Sequence, residues 1–223
     1  MTKAVIFDMD GVLADSEPVM NVAAIAGLRE FGVEARPEEF LPFVGTGEDR
    51  YIGGVAELHG KKYLPEMKRR VYEIYLEMVP DTIKSFPGVH ALLDCLSEQG
   101  ITCAVASSAD RVKVEANLQA IGVELDRFAA VIVGEDVEHK KPSPDIYLYA
   151  ARKIGVAPQN CCVVEDAING IQAAKAAGMR CVAVEQSFPA EKLLAAAPDL
   201  IRKGIGEITL QDLGSEKRGY VSG

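Results

Sequence analysis

A chain of 223 residues, 48% apolar and 26% charged, with a formal net charge of −9, has the make-up of a globular protein large enough to bury a sizeable core. Its acidity excludes non-specific binding to nucleic acid and attraction to an anionic membrane surface, yet allows a small anionic substrate held by a local cation. No apolar run nears the ~20 residues that span a bilayer, and the five cysteines (Cys95, Cys103, Cys161, Cys162, Cys181) form no Cys-x-x-Cys pair, so buried free thiols in a reducing compartment are expected rather than a zinc site or disulfides.

Met1-Thr2-Lys3 leads straight into the first strand, which predicts no signal or transit peptide and a cytoplasmic protein. Ala4 to Phe7 is apolar and ends abruptly in two carboxylates, Asp8 and Asp10, before Gly11 turns the chain. Burying a strand tip that ends in acids is costly unless a cation compensates them, and oxygen ligands suit a hard one. Pro18 to Phe31 reads as a helix, with Pro18 at a first helical position and Gly32 as its stop. Pro37 to Leu41 and Lys61 to Val79 are also helical, the second carrying Met67, Val71, Ile74, Tyr75 and Met78 at helical spacing. Between them lies a glycine-rich loop, Val44 to Arg50.

From Phe86-Pro87-Gly88 onward helix and strand alternate. Helices are expected over 89–99, 110–121, 145–154 and 169–177, each closed by a glycine, and strands over 101–106, 130–133, 161–164 and 180–184. A short helix over 193–197 and a last edge element at 200–201 or 205–210 follow. The strands are apolar without alternation, which means a parallel sheet covered on both faces. The fold class is therefore α/β, a Rossmann-like doubly wound parallel sheet with a small all-helical cap inserted after the first strand. The core spans 1–14 and 85–213, the cap 15–84, and the polar stretch 214–223 is a flexible tail.

In such a sheet the ligand sits beyond the carboxyl ends of the strands. Those ends carry Asp8 and Asp10, then Ser107 and Ser108, then Lys140 and Lys141, then Glu165 and Asp166. Singly, each has a plain structural explanation: Ser107 as a helix cap, the lysines as loop charge, Glu165 and Asp166 as complements to a helix dipole. Together they specify a phosphoryl-transfer site. Asp8 and Asp166, with Glu165 beside them, would supply oxygens to one Mg²⁺. Asp8 can attack phosphorus, Asp10 can serve as general acid and then base, and Ser107 and Lys141 can hold the phosphoryl oxygens.

These residues resemble the haloacid dehalogenase-like hydrolase superfamily over nearly the whole chain. The resemblance rests on Phe7-Asp8-Met9-Asp10-Gly11-Val12, Val105-Ala106-Ser107-Ser108, Lys141-Pro142-Ser143-Pro144-Asp145, and Val164-Glu165-Asp166 with Gly170. It implies Asp8 as nucleophile, Asp10 as acid/base, and Mg²⁺ held by Asp8, the Asp10 backbone carbonyl and Asp166, with Glu165 adjacent. Dehalogenating relatives lack the second aspartate, so phosphoryl chemistry is implied. The helical insert is similar to the cap of β-phosphoglucomutase-like members, yet Met20 stands where the mutases carry a cap histidine and Glu48 near where they offer an arginine to a second phosphate. Hydrolysis of a small phosphorylated metabolite by a monomer is the reading this implies, with a phosphohexose mutase and a phospho-ligand-binding regulatory module as the alternatives. Thr46, Glu48, Arg50, His59 and Lys61 are the cap residues from which substrate contacts could come. The stretches 43–48, 53–56 and 106–111 also resemble the hydrolase domain of a larger plant chloroplast protein, which would place the chain in the stroma were it cut from such a protein.

Overall fold

The computed structural model describes residues 1–215. Six parallel strands form one sheet: β1 (Ala4–Phe7), β2 (Thr102–Ala106), β3 (Ala130–Ile132), β4 (Cys161–Glu165), β5 (Arg180–Val184) and β6 (Leu200–Arg202), in the order β3-β2-β1-β4-β5-β6. The last edge element is thus 200–202, and 205–207 forms a 3-10 turn instead.

Every residue of β1 is buried, and its side chains divide by parity. Val5 and Phe7 join a core shared with Val105, Val164 and Val182, whereas Ala4 and Ile6 join one shared with Ala104, Val163 and Cys181. That is a strand covered on both faces, the condition that removes alternation from its sequence. Burying a side chain of the size of Phe7 or Ile6 contributes about 1.5–3 kcal/mol. The four buried cysteines are part of these cores and Cys95 is half-buried; all five are free thiols.

Helices α4 (Val89–Glu98), α5 (Arg111–Ala120), α6 (Asp145–Lys153), α7 (Ile168–Ala176) and α8 (Ala190–Leu194) connect the strands. Between β1 and α4 lie α1 (Glu17–Arg29), a 3-10 segment over Pro37–Phe43, α2 (Glu48–Leu58) and α3 (Pro65–Thr82). α3 starts four residues later than the apolar spacing predicts, because Pro65 is suited to the first turn, where its missing N–H is not needed. α1 and α3 pack closely where Gly27 has no side chain: a Cβ there would lie 2.7 Å from Val71 Cγ2. The glycine-rich loop ends at Gly47, so Glu48, Asp49 and Arg50 form the first turn of α2, where two acids complement the helix dipole.

Gly214 and Ser215, the first residues of the expected tail, are tied to the body. The Thr2 N–H donates to the Gly214 carbonyl at 3.1 Å, and the Ser215 N–H to the Leu210 carbonyl at 2.9 Å. The remainder of that stretch, 216–223, lies outside the described residues. No helix among the described residues is long and apolar enough to cross a membrane.

Candidate active site

β1 sits at the centre of the sheet, with β2 and β3 added on one side and β4 to β6 on the other. The chain reverses its direction of growth at that point, where a crevice opens beyond the strand ends. The register fixes what meets there. Phe7 is level with Val105 of β2 and Val164 of β4, so Asp8 emerges beside Ala106-Ser107 and Glu165-Asp166. The Asp8 N–H still donates to the Val164 carbonyl at 3.0 Å, fixing the first residue past the strand.

The next turn is closed by bonds from the Leu13 and Ala14 N–H groups to the Met9 carbonyl, at 2.9 and 3.1 Å. Gly11 has φ +77°, and a Cβ there would come within 1.9 Å of Asp166 Oδ2. Only glycine allows both this backbone and this approach of the β4 carboxylate.

Asp8, Glu165, Asp166 and Lys141 are all buried. Lys141 Nζ donates to Asp8 Oδ1, and to Glu165 Oε1 at 2.7 Å. Burial works against its charge, but Asp8 and Glu165 outweigh that and hold its pKa above the ordinary lysine range. Glu165 is fully engaged: Oε1 also accepts Tyr147 Oη at 2.9 Å, and Oε2 accepts the N–H groups of Asp166 and Ala167, both at 2.9 Å. A carboxylate offers about four lone-pair directions, so Glu165, expected above as a metal ligand, is committed to the protein.

Asp10 is held differently. Oδ1 accepts Ser16 Oγ, and Asn117 Nδ2 at 3.2 Å; Oδ2 accepts Lys113 Nζ at 2.8 Å. Ser16 precedes α1 as an N-cap residue would, yet makes no cap bond because its hydroxyl turns to Asp10. Ser107 Oγ accepts the Ala109 N–H at 3.1 Å, which leaves its own proton free to donate. Ser108 Oγ beside it is buried and without a partner among the described residues.

The positive charge in reach falls short of the negative. Burial pushes Asp8 up to about 8 against the pull of Lys141. Burial, then Glu165, Glu17 and Asp8, push Asp166 well above the usual carboxylate range, with a hydroxyl bond from Ser187 as the opposing contact. Among the described residues no three acids, histidines or cysteines form a metal cage of their own. Two oxygen donors short of cation suit Mg²⁺, which commonly takes one or two carboxylates and completes its shell with water and substrate phosphate.

The cap residues fare unequally. Glu48 is buried, lines the cleft and reaches Lys113 at 3.0 Å through Oε1, while Oε2 has no partner among the described residues. Met20 lines the cleft as well. Arg50 does not reach it: the guanidinium is exposed, pairs with Glu57 at 2.8 Å and lies 5.0 Å from the Phe43 ring centroid. Thr46 turns its hydroxyl to the Phe43 carbonyl at 2.6 Å, and His59 contacts Glu39 at 3.0 Å. Neither Thr46 nor Arg50 is therefore among the residues that line the cleft.

Side chains at the site that were not anticipated include Ser16, Lys113, Asn117, Tyr147 and Ser187. Lys113 and Asn117 do leave a signal. They lie four apart on α5 and share its buried stripe with Val114 and Leu118, where polar residues are out of place. Ser187 follows the fifth strand and would have been found by extending the strand-end rule to β5.

Residues 5–184 match the sequence pattern of the haloacid dehalogenase-like hydrolases. Over 94% of its length the chain is 45% identical to Protein SUPPRESSOR OF QUENCHING 1, chloroplastic, of Arabidopsis thaliana, but it spans only 20% of that protein. It is 30% identical to hexitol phosphatase B of Escherichia coli K12, over 94% of this chain and 96% of that one. CbbY from Rhodobacter sphaeroides, solved in complex with phosphate, superposes with a TM-score of 0.86 at 29% identity, over 96% of this chain and 100% of CbbY. A mutant of CbbY solved with xylulose-(1,5)bisphosphate superposes at 0.85, with 28% identity over 96% and 99%.

Proposed function

This chain belongs to the haloacid dehalogenase-like hydrolase family and is a phosphohydrolase, and from that premise we propose that it hydrolyses a sugar or sugar-alcohol phosphate through a phosphoryl group carried on Asp8. The observation that carries the reading is the pair of carboxylates on one strand tip in unlike settings. Asp8 is desolvated and gripped by Lys141 alone, whereas Asp10 is oriented by Ser16, Lys113 and Asn117. Neighbouring acids in contrasting environments are the means by which a site divides nucleophile from acid/base.

Mg²⁺, held by Asp8, Asp166 and the Asp10 backbone carbonyl, would neutralise phosphoryl charge and keep Asp8 ionised. Asp8 attacks phosphorus, the ester oxygen departs with its electron pair, and Asp10 gives that oxygen a proton. Asp10 then takes a proton from the water that releases phosphate from Asp8. Ser107 donates its free proton to a phosphoryl oxygen, and Lys141 neutralises another. Glu165 and Tyr147 hold Lys141 in place.

Hexitol phosphatase B and the bisphosphate held by CbbY point to a carbohydrate ester. Met20 in the cleft and Arg50 outside it favour hydrolysis over mutase chemistry, since among the described residues neither histidine nor arginine lines the cleft to retain a bisphosphate. Phosphate release from a panel of hexose and hexitol monophosphates with Mg²⁺ tests this. Inertness across the panel refutes the reading. Conversion of β-glucose 1-phosphate to glucose 6-phosphate, with a bisphosphate primer and no net phosphate release, replaces it with a mutase.

The metal has a separate test. With Asp8 raised from 3.8 to about 8, the folded metal-free protein keeps a proton that the unfolded chain has lost between those values. This group's contribution therefore makes stability fall as pH rises through that window. Mg²⁺ competes with that proton, so it is expected to raise Tm more at pH 8 than at pH 6. Thermal melts with and without Mg²⁺ check this, and an Asp166→Asn variant should lose the shift.

A further inference from the structure

Asp10 is surrounded by a buried polar square that spans the sheet domain and the helical insert. On the sheet side are Lys113 and Asn117, one turn apart on α5, which hold the two oxygens of Asp10 at 2.8 and 3.2 Å. On the insert side are Glu48, at the start of α2, and Tyr75, in α3. Glu48 Oε1 takes Lys113 at 3.0 Å, and Tyr75 Oη donates to Asn117 Oδ1 at 2.6 Å. Lys113 Nζ also stands 5.7 Å from the Tyr75 ring centroid. Lys113, Asn117, Glu48 and Tyr75 are all buried. Each α5 residue thus makes one bond to Asp10 and one bond to the insert.

A buried ammonium is unfavourable unless its partners face it squarely, and a buried amide needs both ends satisfied. Burial alone would lower the Lys113 pKa; Asp10 and Glu48 outweigh it and raise it well above the ordinary range. Lys113 and Asn117 have both sets of partners only when insert and sheet domain are seated as described here. Withdrawing the insert would strip Lys113 of one carboxylate and Asn117 of its donor at once. A core of this size needs no such set of groups for stability, since apolar residues of equal volume would serve as well or better.

We infer that Lys113 and Asn117 are positioning residues for Asp10, and that the helical insert sets their orientation through Glu48 and Tyr75. The inference rests on the proposed reaction, in which Asp10 serves as acid and then base. It ties proton transfer to the seating of the insert, so that Asp10 is aligned only when the cleft is covered.

The test is pre-steady-state hydrolysis of p-nitrophenyl phosphate with Mg²⁺, followed by trapping of phosphoenzyme. Nitrophenolate leaves without needing a proton, so phosphorylation of Asp8 proceeds even with Asp10 misaligned. Release of phosphate from Asp8 still requires a base. In Lys113→Met, kcat is expected to fall about 100-fold, with KM falling in step so that kcat/KM is little changed. A burst near one nitrophenolate per site should precede the slow phase, and phosphoenzyme should accumulate. Loss of activity without a burst, as a loosened fold would give, overturns the inference, as does a wild-type rate. Tyr75→Phe is isosteric, and Tyr75 neither bonds Asp10 nor itself lines the cleft, so it decides the matter if Lys113→Met does not fold. It should lower kcat about threefold to tenfold with the same build-up of phosphoenzyme; wild-type kinetics would overturn the inference. Wild-type protein that forms phosphoenzyme alongside unaltered variants sinks this inference alone, whereas wild-type protein that never forms it sinks the proposed reaction too.

Discussion

Asp8→Asn is expected to lose turnover by on the order of 10⁵-fold or more while melting no lower than the wild type. The two halves of that result come from the same fact. Asp8 is buried at the tip of the central strand, and burial lifts its carboxyl to about 8 even with Lys141 in contact. The folded environment thus prefers a neutral group at this position, and asparagine supplies one of nearly the same shape. Lys141 keeps Glu165 as its counter-ion when Asp8 is gone. Its neighbours cannot readily take over as nucleophile: Glu165 has both oxygens engaged, and Asp10 is fastened on three sides. Phosphate release and a metal-free melt at pH 8, run side by side, check the prediction. A variant that keeps a measurable fraction of the rate, or that melts several degrees lower, contradicts it.

The sheet and its site were legible in the sequence to different depths. Apolar runs without alternation, each closing on polar residues, were enough for a parallel sheet and for the meeting of Asp8, Ser107, Lys141 and Asp166, because register carries strand ends to a common edge. What periodicity could not reveal is which partner a side chain takes. Ser16 has the position of a helix cap, yet its hydroxyl goes to Asp10. Glu165 has the identity of a metal ligand, yet two backbone N–H groups, a tyrosine and a lysine exhaust it. In the insert the reach of side chains decides, and there Arg50 turns outward to Glu57 while its neighbour Glu48 turns inward to Lys113. Two residues apart on a helix point about 200° from each other. Reading 44–50 as a loop conceals that distinction, and knowing that α2 begins at Glu48 restores it.

Lys141→Met is expected to damage both stability and catalysis, and a second substitution should separate the two. Removing Lys141 leaves Asp8 and Glu165 facing each other in the interior without a cation. Breaking a buried pair in this way typically costs about 3–5 kcal/mol, a large part of the 5–15 kcal/mol that holds most domains folded. The rate should fall by about 10²–10³-fold, the usual consequence of losing one preorganised contact to a developing charge. Adding Asp8→Asn to Lys141→Met removes one of the two acids left without a cation, so the double variant should melt above Lys141→Met while remaining inactive. If the lysine served mainly to pack over the Tyr147 ring, the double variant would melt no higher than the single one, since methionine fills a similar volume. The sign of that difference in Tm, measured without metal, shows whether Lys141 holds the site together by charge. If it does, stability and phosphoryl chemistry at this strand tip are governed by the same electrostatic imbalance, and a substitution that relieves it does so at the expense of the reaction.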